Sequence, residues 1–268
     1  MIRRRTVLAF PALLLARPAF ALPTEGLTQG GLVRGRVAPG TRLALDGKPL
    51  RVGPGGEYAF GFGRDHAAEA TLTVTPPGGR AEALRLAIAR RDWSVQRITG
   101  LPPAQVTPDP EALRRITAER ERLAAARATD SAHTNFLVEF LLPTHGRISG
   151  VFGSQRVLNG EPRQPHYGFD IAAPTGTPIQ AIAPGQVVLA ADFFFFGRLT
   201  IIDHGHGVNS LYAHQSAQHV AEGEQVAGGQ RIGAVGATGR VTGPHLHFGL
   251  SWYATWLDAQ PVLPPVTG

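Results

Sequence analysis

From Phe136 to the C-terminal end, glycine and proline recur too often for a long helix, and the apolar residues come in short runs. Gly185–Ala190, Leu199–Ile202, Val208–Tyr212, Val220–Val226 and Arg231–Val235 each read as a strand. No stretch of helical period separates them. A parallel crossover needs a dozen or more residues, so strands joined this closely pair antiparallel. The spacing predicts an antiparallel β unit, barrel-like or sandwich-like, over residues 131–262.

Residues 22–98 carry a similar rhythm. Leu43–Leu45 and Leu50–Val52 flank the turn cluster Asp46-Gly47-Lys48-Pro49. Tyr58, Phe60 and Phe62 alternate with Ala59 and Gly61, and Leu72 and Val74 alternate with threonines. Pro76-Pro77-Gly78-Gly79 then turns the chain into Leu84–Ala89. About seven short strands at this spacing predict a small β-sandwich. Residues 99–130 differ. Leu101-Pro102-Pro103 is extended and proline-punctuated. Asp109 is placed to cap a helix, with Pro110 as its first residue and Glu111–Arg127 as its body. Glu111 and Arg115 have the spacing of an i,i+4 pair. Leu113, Ile116 and Leu123 form a thin apolar stripe, which suits a helix on a neighbouring surface as well as an exposed one. The expected class is mainly β: an N-terminal sandwich, a linker helix and a C-terminal antiparallel barrel-sandwich.

Residues 1–21 read as an export signal rather than as part of the fold. Arg3, Arg4 and Arg5 precede the apolar run Val7–Ala16, and Ala19-Phe20-Ala21 is a small-x-small cleavage site. The run is too short to span a bilayer, so no transmembrane segment is expected once the signal is removed. Removal also changes the charge. The net of +6 falls to +2, with 22 basic against 20 acidic residues. That balance argues against a nucleic-acid partner. There is no cysteine, hence no disulfide framework.

The histidines carry the chemistry. His245 and His247 flank one leucine in TGPHLHFGL, so in a strand both imidazoles share a face. Buried histidines need polar partners, so packing alone seldom places two together. His166 and Asp170 lie four apart in HYGFD. In a straight strand their Cα atoms would stand about 13 Å apart at roughly 3.3 Å per residue. Shared ligation of one ion therefore needs a bend, and Gly168 is the residue that permits it; the alternative is a hydrogen-bonded loop pair. A catalytic zinc takes three protein ligands and keeps one open position, and His and Asp suit it. No HExxH is present, and Glu222 and Glu224 sit in a turn, so the proton-transfer groups are expected to be histidines. One of His245 and His247 would bind metal, and the other would join His214 of LYAH.

HYGFD, LYAH and GPHLHFG, in this order and spacing, resemble the lysostaphin/LytM-type zinc endopeptidases over roughly residues 145–252. The resemblance implies one Zn2+ held by His166, Asp170 and His247, with His214 and His245 catalytic. It also implies hydrolysis of bacterial peptidoglycan peptides by an exported enzyme, periplasmic or secreted. Some relatives have lost ligands and act as non-catalytic activators of other wall hydrolases; all five positions are retained here. The segment HVAEGEQVAGGQRIGAVGATG is similar to biotinyl and lipoyl carrier domains, but those need a lysine at a hairpin tip, and Lys48 is the sole lysine. Asp192-Phe193-Phe194-Phe195-Phe196 is expected to line a substrate groove or to pack. His204 is expected to be structural, and His206, His133, His145 and His219 to be solvated.

Overall fold

The structure, a computed structural model, describes residues 23–100 and 109–266. The expected export signal and the proline-rich part of the linker, residues 101–108, lie outside them.

The mainly β class holds. In the N-terminal part, Leu32–Arg36 pairs antiparallel with Glu57–Gly61. A four-stranded sheet runs in the order Lys48–Leu50, Arg42–Leu45, Glu69–Thr75, Glu82–Ala87. Its first hairpin turns on Asp46 and Gly47, both at positive φ, as a two-residue turn between Leu45 and Lys48 requires. Val33, Tyr58 and Phe60 of the small sheet share one core with Leu43, Leu72 and Leu86 of the other. Leu32 and Ala59 belong instead to the core of the C-terminal part, so this hairpin is buried on both faces. A seventh strand, Val95–Ile98, which the sequence reading did not single out, pairs in parallel with Gln155–Leu158 and thus joins the C-terminal part.

That part holds an eight-stranded sheet. Its path runs Gln225–Val226, Gly185–Phe193, Gly197–Asp203, Val208–Gln215, His245–Trp252, Phe169–Ala172, Arg147–Gly150, with Thr255–Leu257 paired beside His245–Trp252. A three-stranded sheet of Pro178–Gln180, Arg231–Ala234 and Ala217–Gln218 packs on it. Ile179 and Ile232 from the small sheet meet Ile171, Leu246 and Phe248 from the large one in a single core. Of the two expected forms this is the sandwich; among the described residues no sheet closes into a barrel.

The helix spans Pro110–Arg127 and is capped as its sequence predicts, with the Asp109 side chain accepting from the Ala112 N–H at 2.8 Å. It lies on the large sheet, with Ile116, Ala126 and Arg127 buried. Arg127 anchors its end: the guanidinium lies 3.6 Å over the Trp256 ring and Nε donates to Ser251 Oγ at 3.2 Å. Burial pulls its pKa down to about 10, which still leaves it charged. The expected Glu111–Arg115 pair is not the one formed. Arg115 turns forward to Glu119 at 2.6 Å, and Glu119 also accepts from the Phe194 N–H at 2.9 Å, ties that Glu111 could not make from the first turn. No helix among the described residues is long and apolar enough to cross a membrane.

Candidate metal centre

The central strands bring four of the five residues into register. Asp170 sits directly opposite His247, and Ala172 opposite His245, across one antiparallel pair. On the other side of the same strand, Ala213 faces His247. His166 precedes the first strand, its N–H bonded to the Ser154 carbonyl at 2.9 Å. Straight-strand separation from Asp170 is avoided because the strand begins only at Phe169.

His166 Nε2, His247 Nδ1 and Asp170 Oδ1 converge. The two nitrogens lie 3.0 Å apart, and they stand 3.1 and 2.9 Å from the carboxylate oxygen. Edges near 3 Å match donors that share one ion at about 2.0–2.2 Å. Protonation supports this fit. His166 Nδ1 is 3.0 Å from the Val151 carbonyl, which can only accept, so Nδ1 carries the proton and Nε2 presents a lone pair. Burial lowers His247 to about 4, so its ring is neutral. Burial alone would raise the Asp170 carboxyl, but the two histidines outweigh it and hold that group well below the usual carboxylate range. Two ring nitrogens and a carboxylate oxygen aimed at one point are a donor set that a cation satisfies.

Glycines make the room. A Cβ on Gly168 would lie 2.7 Å from His247 Cε1 and 2.5 Å from the Phe248 carbonyl oxygen. One on Gly150 would lie 2.4 Å from Asp170 Oδ2. Gly168 thus serves close approach rather than the bend its sequence position suggests; it has no positive φ. We expect Gly168→Ala to push the His247 ring aside and lower metal affinity by about tenfold or more, as loss of a ligand-orienting contact does. A metal titration against a colorimetric chelator measures it.

His214 and His245 complete the cluster, their rings 4.8 Å apart. Both are fixed through Nδ1. His214 donates to the Thr238 carbonyl at 2.8 Å and His245 to the Gly243 carbonyl at 2.9 Å. Each therefore turns an unprotonated Nε2 to the centre, and His245 Nε2 stands 3.8 Å from Asp170 Oδ1. Burial, then the neighbouring imidazoles, lowers His214 to about 3. His214 reaches the site through a bulge. The register between its strand and Gly197–Asp203 shifts so that Arg198 faces Gln215 and Thr200 faces Tyr212. Strict alternation would send His214 to the same face as Tyr212, into the core. Instead it adopts φ 63°, a left-handed backbone.

Thr238 is a residue that sequence reasoning missed. Besides orienting His214, its Oγ1 donates to the Gln215 carbonyl at 3.0 Å and accepts from the Arg198 N–H at 3.0 Å, which ties its loop to the bulge. The only signal was its place in a glycine-rich turn, GATGR.

A cleft of about 640 Å3 opens beside the triangle. The linker helix forms one wall through Leu113, Ile116 and Leu123, and Phe195 and Phe196 line it as well. The aromatic run thus divides its work. Phe193 touches the cleft but is 2 % exposed and packs with Leu199 and Leu211, while Phe196 stands 5.9 Å from the His247 ring. His204 is a satisfied core residue, bonded to the Pro184 carbonyl and Ser210 Oγ at 2.7 and 2.8 Å. His206 corrects its expectation. It is 1 % exposed rather than solvated, because it is held 4.9 Å from the Phe136 ring with the N-terminal part packed over it at Gly53.

The model of peptidase family M23 matches residues 164–262. A crystal structure of a chain assigned to peptidase M23 from Pseudomonas aeruginosa superposes with a TM-score of 0.68 at 30% identity, covering 87% of this chain and 93% of that one. The DD-carboxypeptidase/endopeptidase Mpg of Neisseria meningitidis is 43% identical over 129 residues, 48% of this chain and 28% of that protein. The peptidoglycan DD-endopeptidase ShyA of Vibrio cholerae is 43% identical over 105 residues, 39% of this chain and 24% of that protein. The chain therefore matches about a quarter of the length of these curated relatives.

Proposed function

Because the chain belongs to peptidase family M23, we propose that it is a zinc-dependent endopeptidase that hydrolyses peptide bonds in bacterial peptidoglycan stem or cross-link peptides. The observation that carries this reading is the triangle of His166, Asp170 and His247 with two further imidazole Nε2 atoms turned toward it. The names of the Neisseria and Vibrio relatives favour cross-link peptides.

The three ligands would hold Zn2+, which when bound supplies Lewis-acid polarisation of a carbonyl and activation of water. Asp170 brings one negative charge, so the loaded centre keeps a net positive charge that favours a developing oxyanion. His214 and His245 work as a pair. Their Nδ1 atoms are committed to backbone carbonyls, so each offers Nε2 to orient water and take its proton. The same nitrogen then returns the proton to the departing amine. The apolar side chains along the cleft keep bulk water away from the reacting bond. An export signal over residues 1–21 fits a substrate outside the cytoplasm. The rival reading, a non-catalytic activator, is disfavoured because no member of the constellation is replaced.

Digestion of purified muropeptides by the full chain tests the proposal. After verified metal removal the products should vanish, and added zinc should restore them. Complete digestion by metal-free protein would end the zinc mechanism.

A further inference from the structure

The three ligands are not held alike. Asp170 and His247 stand in paired strands of the large sheet, each with a neighbour on both sides. His166 lies outside any strand and is held at three atoms by the loop 151–154. Its Nδ1 donates to the Val151 carbonyl at 3.0 Å, its N–H donates to the Ser154 carbonyl at 2.9 Å, and its carbonyl accepts from the Gly153 N–H at 2.8 Å. Ser154 Oγ donates to the same Val151 carbonyl at 3.1 Å and so helps to aim it. The pose of His166 is therefore only as firm as that loop.

The N-terminal half grips the loop. Arg64 Nε donates to the Gly153 carbonyl at 2.7 Å. The Trp93 ring lies so close to Gly153 that a Cβ there would stand 2.1 Å from Trp93 Cε3. Buried Phe152 meets the Trp93 ring edge-on at 5.8 Å. Trp93 is in turn fixed by two cations, the guanidiniums of Arg64 and Arg91, over its ring at 5.2 and 4.6 Å. Arg91 is itself tied to buried Asp258 at 2.7 Å. Just past the loop, the Gln155 N–H donates to the Ser94 carbonyl at 2.8 Å, where Gln155–Leu158 begins its parallel pairing with Val95–Ile98. That pairing reaches the centre as well: Gln96 and Ile98 line a second, smaller cavity of about 150 Å3 beside Asp170 and His245.

We infer that Arg64 and Trp93 are positioning residues for the metal ligand His166. By clamping the loop 151–154 they aim its imidazole, so that affinity for the ion depends on the N-terminal half. Both act through Phe152 and Gly153. A loosened loop would leave His166 to be ordered by the ion itself, and that ordering is subtracted from affinity. The inference rests on the metal-centre reading and not on which bond is cut.

The test measures zinc affinity of the full chain directly, by competition between metal-free protein and a colorimetric chelator, and needs no turnover. Arg64→Ala and Trp93→Ala should each bind zinc about tenfold more weakly or worse, the effect of removing a group that orients a ligand. Arg64→Lys can still donate and Trp93→Phe keeps a ring against Phe152, so each should recover part of the loss. Leu72→Val is the control. Leu72 is buried in the N-terminal core between Leu45 and Leu84 of the neighbouring strands. That variant should lose stability and keep the wild-type zinc affinity. With muropeptides, the zinc concentration giving half the maximal rate should rise in the alanine variants, while the rate at saturating zinc returns close to that of the wild type. Wild-type affinity in both alanine variants overturns the positioning role, and so does an equal loss in Leu72→Val. Should the alanine variants not fold, the conservative pair decides: a measurable loss sustains the role, and wild-type affinity overturns it. A wild type that binds no zinc overturns the metal centre and this inference with it.

Discussion

His247→Ala should lose its metal and its activity together. The residue supplies Nδ1 to the triangle from the centre of the large sheet, opposite both Asp170 and Ala213. Among the described residues the donor atoms that converge are those of His166, Asp170 and His247, and His245 Nε2 stands off at 3.8 Å from Asp170 Oδ1, so no other side chain is already in place to take over. Two donors in place of three leave a weak site, and the Lewis-acid contribution of several kcal/mol goes with the ion. The rate should fall by at least about a thousandfold. Elemental analysis after dialysis should find metal in the wild type and almost none in the variant. A second readout is independent of turnover. Zinc bound only by the folded state raises the melting temperature by mass action, so chelator should lower the wild-type midpoint and leave that of His247→Ala unmoved. A variant that holds stoichiometric metal would remove His247 from the ligand set.

His214→Gly should give a folded, metal-loaded and nearly inert protein. Removing a proton-transfer group costs about a hundredfold to ten-thousandfold in rate. Stability should follow a different rule. His214 sits at φ 63° in its bulge, where an L side chain costs roughly 1–2 kcal/mol that glycine escapes. Glycine gives back about 0.5–1 kcal/mol through greater freedom when unfolded. The backbone terms therefore favour glycine by somewhat under about 1 kcal/mol, less the packing of the ring. His214→Ala keeps the strained backbone and loses the same ring, so the glycine variant should be the more stable of the two by about 1 kcal/mol. That order reverses the one found inside ordinary strands. Paired denaturant titrations with metal analysis measure both effects. A more stable alanine variant would mean the left-handed backbone relaxes at no cost, and loss of zinc from either would place His214 among the ligands.

Much of the fold is local and could be read from local signals. Asp109 before Pro110 marks the start of the helix because capping is settled within one turn, and Asp46-Gly47 marks a hairpin because its backbone demands positive φ. Pairing between distant segments is not local. Nothing in Val95–Ile98 states that its partner is Gln155–Leu158 rather than a strand of the sandwich. His166, Asp170, His214, His245 and His247 were picked out by their motifs and by the family resemblance those motifs carry, since spacing alone left open which of His245 and His247 would face a metal. The carbonyls of Val151, Thr238 and Gly243 were not, since any residue type supplies a carbonyl and only geometry aims it. His206 misled for a related reason. Flanking glycines suggest a solvated turn, and its burial depends on a surface some 150 residues earlier in the chain.

The Val95–Ile98 strand and the linker helix lie on different flanks of the metal triangle, one beside the smaller cavity and the other beside the larger. A peptide threaded through the centre touches both flanks, and both belong to the segment between the sandwich and the metal-bearing sheets. A fragment trimmed to the metal-bearing sheets would lack both flanks, and we expect it to present the triangle on an open ledge instead of in a trench.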